Sequence, residues 1–222
     1  MRRVGLSSQR RRPAQRLRWA RGPVAQVAVV AALLLGAGRL MGEHRAPAAP
    51  VPLPSGRVER INFPAETPPL LPLPDGERRV VRSLINVDKP MAYGDFVWRS
   101  EDVPPGGEAW VRIDLARQLL SVFRGGHEIG TAVILYGADD LPTPTGRFVV
   151  QAKHKDYHSR SYDAPMPYML RLTDDGVAIH GSNVREGAAT HGCIGVPTAF
   201  AAHLFEVVGK GAPVTILPAT TA

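Results

Sequence analysis

Thr190-His191-Gly192-Cys193-Ile194-Gly195-Val196-Pro197, with Ile179-His180-Gly181 upstream of it, is the stretch on which the reading of this chain turns. Cys193 is the single cysteine of 222 residues, and His180 stands thirteen positions before it. A thiol with an imidazole on a separate element is the minimum constellation for cysteine nucleophilic catalysis. Thiolate is the reactive form, a neighbouring imidazole can generate it, and a carbonyl acceptor on that imidazole can fix its tautomer. The competing role for a lone cysteine is a small buried hydrophobe. Glycines at 192 and 195 with a histidine at 191 favour a tight loop over a packed strand.

The N-terminus says where that thiol works. Residues 1–21 form a basic leader with eight arginines and no acid, and residues 22–38 are uncharged and apolar on every face. About 17 residues is at the lower limit for spanning a bilayer and slightly long for a cleaved signal core. We therefore expect a signal anchor or a signal peptide, with arginines holding its start in the cytoplasm and everything after Arg39 outside. The expected location is the periplasmic side of the cell envelope, anchored in the inner membrane by an uncleaved N-terminal segment. In an oxidising compartment structural cysteines come in pairs, so the unpaired Cys193 reads as a reactive thiol.

The formal charge of +7 suggests nucleic acid only until the leader is set aside. Of 27 lysines and arginines eight stand in the leader, so 19 face 20 acidic residues in the remainder, a net charge of −1. No basic face is left for nucleic acid.

From Ala46 to Arg79 nine prolines argue against a helix or a central strand, and residues 39–79 read as a semi-rigid spacer. Residues 80–108 then form an N-terminal extension of a single domain whose catalytic part is 109–218. Val111–Leu115 alternates apolar and polar, Leu119–Phe123 and Ile129–Leu135 are apolar or β-branched, and Gly125-Gly126 supplies a two-residue hairpin turn. Further strands fit Arg147–Ala152, Tyr168–Leu172, Val177–His180 and Val214–Leu217. One helix starts near Pro197, with Phe200, Leu204, Phe205 and Val208 on one face and Gly209 or Gly211 to end it. This places Cys193 in a loop feeding a helix N-terminus, where dipole and free amides favour a thiolate and a developing oxyanion.

With these pieces assembled, the chain from about Ala109 to Leu217 resembles the L,D-transpeptidase catalytic domain, or YkuD domain. Arg117–Phe123 looks like the family's opening strand and Thr143-Pro144-Thr145-Gly146-Arg147-Phe148 like its internal turn. Ile179-His180-Gly181 looks like its strand-borne histidine and Thr190–Ile194 like its nucleophile loop. The resemblance implies a mainly β fold, a sandwich of mixed sheets with one helix packed behind the cysteine loop. It further implies Cys193 as nucleophile, His180 as base and the Gly181 carbonyl as the acceptor for the second ring nitrogen. The amides of Gly192 and Cys193 are expected as oxyanion donors, and Thr190 and His191 at the substrate. The family commonly carries an arginine directly after the Cys-Ile pair, where this chain has Gly195, so Arg185 or Arg171 is expected to neutralise a substrate carboxylate.

The activity so implied is cysteine acyl transfer on peptidoglycan stem peptides. Terminal D-alanine leaves and an amine takes the acyl group, or water takes it and the enzyme is a carboxypeptidase. No cofactor is expected, and the chain should be a monomer that meets membrane only through its N-terminal segment. Two rivals come from other classes. One is a non-catalytic tethered wall-binding module, the other a zinc hydrolase using His180, His191 and Cys193, in which His-x-Cys spacing is cramped for tetrahedral ligation.

Overall fold

The computed structural model describes residues 59–138 and 140–219. The leader, the apolar stretch 22–38 with its expected transmembrane or signal helix, and the spacer up to residue 58 lie outside the described residues. Among the described residues no helix is long and apolar enough to cross a membrane.

In chain order the elements are β1 (Arg60–Asn62), β2 (Leu70–Pro72), β3 (Arg78–Val80), β4 (Ser83–Ile85), β5 (Phe96–Trp98), β6 (Ala109–Asp114) and β7 (Leu119–Arg124). They continue as β8 (His127–Val133), β9 (Gly146–Val149), β10 (Ala152–Ser159), β11 (Ala164–Arg171), β12 (Ala178–Ser182), β13 (Ile194–Pro197), the helix α1 (Thr198–Val207) and β14 (Pro213–Leu217). The larger sheet runs β1-β4-β8-β7-β6-β14-β9, with β5 also on β8. The smaller runs β10-β11-β12-β13. Both are mixed: β4–β8, β6–β14 and β12–β13 are parallel and the remaining pairs antiparallel.

Alternation builds the core. Val111, Ile113, Leu120, Val122 and Ile129 point one way from the large sheet, and Leu170, Ile179, Ile194 and Val196 come from the small one. Phe200, Ala201 and Leu204 of α1 complete the same cluster. The β7–β8 turn is the one expected at Gly125-Gly126, whose φ values of 57° and 87° suit a two-residue turn of the primed kind. The two sheets meet where the chain beyond β8 reaches β13: Leu135 and Gly195 exchange N–H···O bonds of 2.8 and 2.9 Å.

The expected spacer requires correction at its C-terminal end. From Arg60 the chain is already paired, β1 with β4 and β2 with β3. Its prolines are accommodated because these strands are three residues long and lie at edges. Phe63, Leu71 and Leu84 pack with Val81 against the stacked Trp110 and Phe123 on the outer face of the large sheet. Arg79 spans Glu77 and Glu108 at 2.7 and 2.6 Å to hold that layer in place.

Candidate active site

The β12–β13 register decides what shares the site. Ile179 lies beside Ile194 and His180 beside Gly195 in a parallel ladder. Side chains alternate along a strand, and Ile179, Ile194 and Val196 are in the core. The opposite face therefore carries Ala178, His180 and Ser182 on β12 and Cys193 and Gly195 on β13's side. His180 and Cys193 become diagonal neighbours on one face, although the sequence separates them.

The imidazole is fixed by its own strand. His180 Nδ1 lies 2.9 Å from the Gly181 carbonyl oxygen, which can only accept. The ring proton is then on Nδ1 and Nε2 keeps its lone pair. Burial pushes the His180 pKa below the usual imidazole value, partly opposed by the Gly181 bond. Gly181 is itself confined, since a Cβ there would lie 3.0 Å from Pro167 Cγ and 3.1 Å from Thr198 Oγ1.

Cys193 packs against Met166, Met169 and Ala178. Met166 and Met169, three apart, reach the same cluster, and Tyr168 between them has left-handed backbone (φ 57°). The thiol is turned toward the Gly176 carbonyl at 3.9 Å. Burial raises its pKa, an amide at Ala178 opposes this, and the charge of Asp175 adds to it. Both shifts favour the neutral forms, thiol and imidazole.

The expected helix-dipole assistance is corrected here. Ile194–Pro197 is a strand, and α1 begins only at Thr198. At about 3.3 Å per residue the helix N-terminus is roughly 13 Å beyond the nucleophile, outside the first-turn reach of its dipole.

Three side chains set the nucleophile loop. The buried Thr143 hydroxyl accepts the Gly137 N–H at 2.9 Å and donates to the Gly192 carbonyl at 3.0 Å. Because the trans peptide is planar, pinning that carbonyl turns the Cys193 N–H the opposite way. Thr190 Oγ1 donates to the Cys193 carbonyl at 2.5 Å. Tyr162, at the tip of the β10–β11 hairpin, stacks on the exposed His191 with centroids 4.3 Å apart. Gly192 has φ 99°, a backbone that L side chains rarely adopt.

Together these elements enclose a cleft of about 290 Å³. Its walls are Leu141, Pro142 and Pro144 from the Thr-Pro turn, Tyr162 from the hairpin, and Asp175, Gly176 and Val177 from the β11–β12 turn. His191, Gly192 and Cys193 form its floor. Of the expected residues, His191, Gly192 and Cys193 line the cleft, Thr190 bonds to the Cys193 carbonyl, and the strand register sets His180 and Gly181 beside Gly195 and Val196. Arg185 and Arg171 do not line the cleft: Arg185 is exposed on the loop after β12, and Arg171 is half-buried on β11. Asp175 carries no signal of its own in sequence, for an exposed acid beside a glycine reads as an ordinary turn; Thr143 opens the Thr-Pro turn already singled out, but its bonds to Gly137 and Gly192 are not legible there. Among the described residues no three His, Cys, Asp or Glu side chains converge as a metal-ligand set.

Residues 108–216 match the model of YkuD, the L,D-transpeptidase catalytic domain. No curated protein matches the chain. Solved structures similar to it include an L,D-transpeptidase from Stackebrandtia nassauensis, with 23% identity, TM-score 0.47, and coverage of 52% of this chain and 57% of that one. An L,D-transpeptidase from Mycobacterium smegmatis matches with 23% identity and TM-score 0.47 over 51% of this chain and 60% of that one. A mutant of the Enterococcus faecium L,D-transpeptidase matches with 27% identity and TM-score 0.46 over 52% of each. The chain thus spans less than two thirds of the length of these proteins. Residues 108–216 of this chain are thus a YkuD domain, the L,D-transpeptidase catalytic domain.

Proposed function

We propose that the chain is a peptidoglycan L,D-transpeptidase acting by cysteine acyl transfer, with Cys193 as nucleophile and His180 as base. The observation that carries this reading is the β12–β13 register, which puts the single thiol and a tautomer-fixed imidazole on one face beside an open cleft. The thiol leaves the Gly176 carbonyl and gives its proton to Nε2 of His180 as sulfur bonds to the carbonyl carbon of the donor peptide. The Cys193 amide, and that of Gly192, are the donors for the oxygen that becomes negative. Collapse breaks the C–N bond to terminal D-alanine, which takes the proton from the imidazolium and leaves a thioester on Cys193. An amine then attacks that thioester, and the sulfur is released as a thiol. If water attacks instead, the outcome is carboxypeptidase action on the same acyl-enzyme.

The leader and apolar stretch support placing this chemistry in the cell envelope, outside the cytoplasmic membrane, with residues 22–38 as anchor. The test is titration with an acylating carbapenem, read by intact mass. One adduct is expected on wild type and none on Cys193→Ala, whose thermal unfolding should remain cooperative. An adduct on Cys193→Ala would remove cysteine as the nucleophile. A wild type that stays unmodified would favour a wall-binding module.

A further inference from the structure

We propose that Asp175 makes the cleft beside Cys193 selective for cations, so that a protonated amine is gathered at the acyl-enzyme and aminolysis outruns hydrolysis. This assigns a residue to the acceptor step of the acyl-transfer reading and rests on that reading, whereas the charge preference can be measured on the bare thiol. Asp175 and Gly176 form one wall of the cleft, and Cys193 Sγ lies 3.9 Å from the Gly176 carbonyl. The carboxylate is held in place. Thr173 Oγ1 accepts the Val177 N–H at 2.9 Å and donates to Asp175 Oδ1. Among the described residues lining the cleft no lysine or arginine opposes it, and the other titratable side chains are Tyr162, His191 and the thiol. Burial is the main cause that raises the Cys193 pKa, and the charge of Asp175 adds to it.

Asp175 is exposed, so its field is screened by solvent and salt, but a negative charge on a cleft wall still raises the local concentration of cations and lowers that of anions. On the thioester the ammonium first loses one proton to solvent. Its nitrogen then bonds to the acyl carbon, the C–S bond breaks, and the second N–H proton passes through His180 to the departing sulfur. Thioester and ammonium thus give amide, thiol and one released proton. Water, being neutral, gains nothing from the charge.

The experiment compares three methanethiosulfonates on the full-length chain, carrying aminoethyl, sulfonatoethyl or methyl groups. Cys193 sulfur displaces methanesulfinate and forms a mixed disulfide, followed by mass. The neutral methyl reagent corrects for any change in thiol ionisation. Normalised to free cysteine, the cation-to-anion rate ratio should be on the order of tenfold for wild type, fall by roughly three- to tenfold in Asp175→Asn, and persist in Asp175→Glu. On wild type it should also shrink as salt rises toward about 1 M. An Asp175→Asn ratio equal to wild type, or a wild-type ratio indifferent to salt, overturns the proposal. A second arm captures the acyl-enzyme with cationic glycinamide or neutral hydroxylamine. Asp175→Asn should lose glycinamide capture relative to hydrolysis and keep hydroxylamine capture, and equal losses overturn the acceptor assignment. If the reagent ratios behave as expected but no acyl-enzyme forms, acyl transfer fails while the charge selection stands.

Discussion

Tyr162 lies flat on His191, ring centroids 4.3 Å apart and planes within 10°, so that the tip of the β10–β11 hairpin rests on the floor of the cleft. The stack ties the hairpin to the nucleophile loop. An aromatic pair of this kind is worth about 0.5 to 1.5 kcal/mol beyond its burial. A double-mutant cycle of Tyr162→Ala and His191→Ala, read as single-turnover acylation, should give a coupling energy of that size. Additive losses would show that the two rings act independently.

His180→Ala should be far more damaging than His191→Ala. A positioned general base contributes about 10² to 10⁴ in rate, whereas His191 stands to lose only its stack, tenfold or less. Acylation rates of both variants are the measurement, and a larger loss for His191 would reverse the roles.

Removing the Thr143 hydroxyl should both destabilise the domain and slow acylation. Thr143→Val leaves the Gly137 N–H and the Gly192 carbonyl unpaired in a buried place, at about 1 to 3 kcal/mol each. Gly137→Ala should be at least as severe, because its Cβ would lie 2.1 Å from the Leu141 carbonyl oxygen and 2.9 Å from Gly192 Cα. Thermal unfolding midpoints checked against acylation rates test both, and a Thr143→Val protein with wild-type stability would contradict the clamp.

The raised thiol and lowered imidazole pKa values set opposite pH limits. Alkylation of Cys193 by iodoacetamide should have its midpoint above about 8.5, while catalysed acylation should fail on the acid side only below about 6.5. Stability follows the same signs. The Cys193 contribution is present below about 8.5 and lost as pH rises through the higher folded value. That of His180 is present above about 6.5 and lost as pH falls through the lower folded value. Denaturant midpoints against pH, with Cys193→Ala and His180→Ala as controls, should show each variant losing one limb.

Restoring an arginine after the Cys-Ile pair should not be free. A Cβ on Gly195 would meet Ser182 Cβ at 3.0 Å and Leu135 Cβ at 3.5 Å, and overpacking of this kind costs about 1 to 3 kcal/mol. Gly195→Arg should therefore unfold earlier, and Ser182→Gly in the same chain should recover part of the loss. Arg185→Ala, remote from the cleft lining, should change kcat/KM by no more than about twofold, the size of an ordinary surface substitution.

The parts of this fold written in local pattern were legible in sequence. Val111–Leu115, Leu119–Phe123 and the Gly125-Gly126 turn announce a hairpin through alternation and positive φ, and Phe200 and Leu204 announce the helix. What escaped depends on distant partners. Ile194–Pro197 contains a glycine and a proline in four residues and is a strand because β12 and Leu135 lie on either side of it. The strands between Arg60 and Val80 are three residues each amid prolines, too short for a period to emerge. Of the site, the Cys193 and His180 motifs were visible because their residue types are chemically unusual. The Thr143 clamp and the Asp175 wall become meaningful only once turns remote in sequence converge.

The parallel register of β12 and β13 also says which changes of length this chain can absorb. Residues 183–193 join the two strands, of which 183–189 precede the nucleophile loop, and loops tolerate insertion at little entropic expense. Seven residues there could become ten without moving His180 or Cys193. A single residue added between Cys193 and Gly195 is another matter, because strand side chains alternate and a one-position slip exchanges the two faces. The thiol would then point into the core occupied by Ile194. The spacing of histidine and cysteine along the chain is thus free to drift, while the odd–even phase of the cysteine against its strand is fixed.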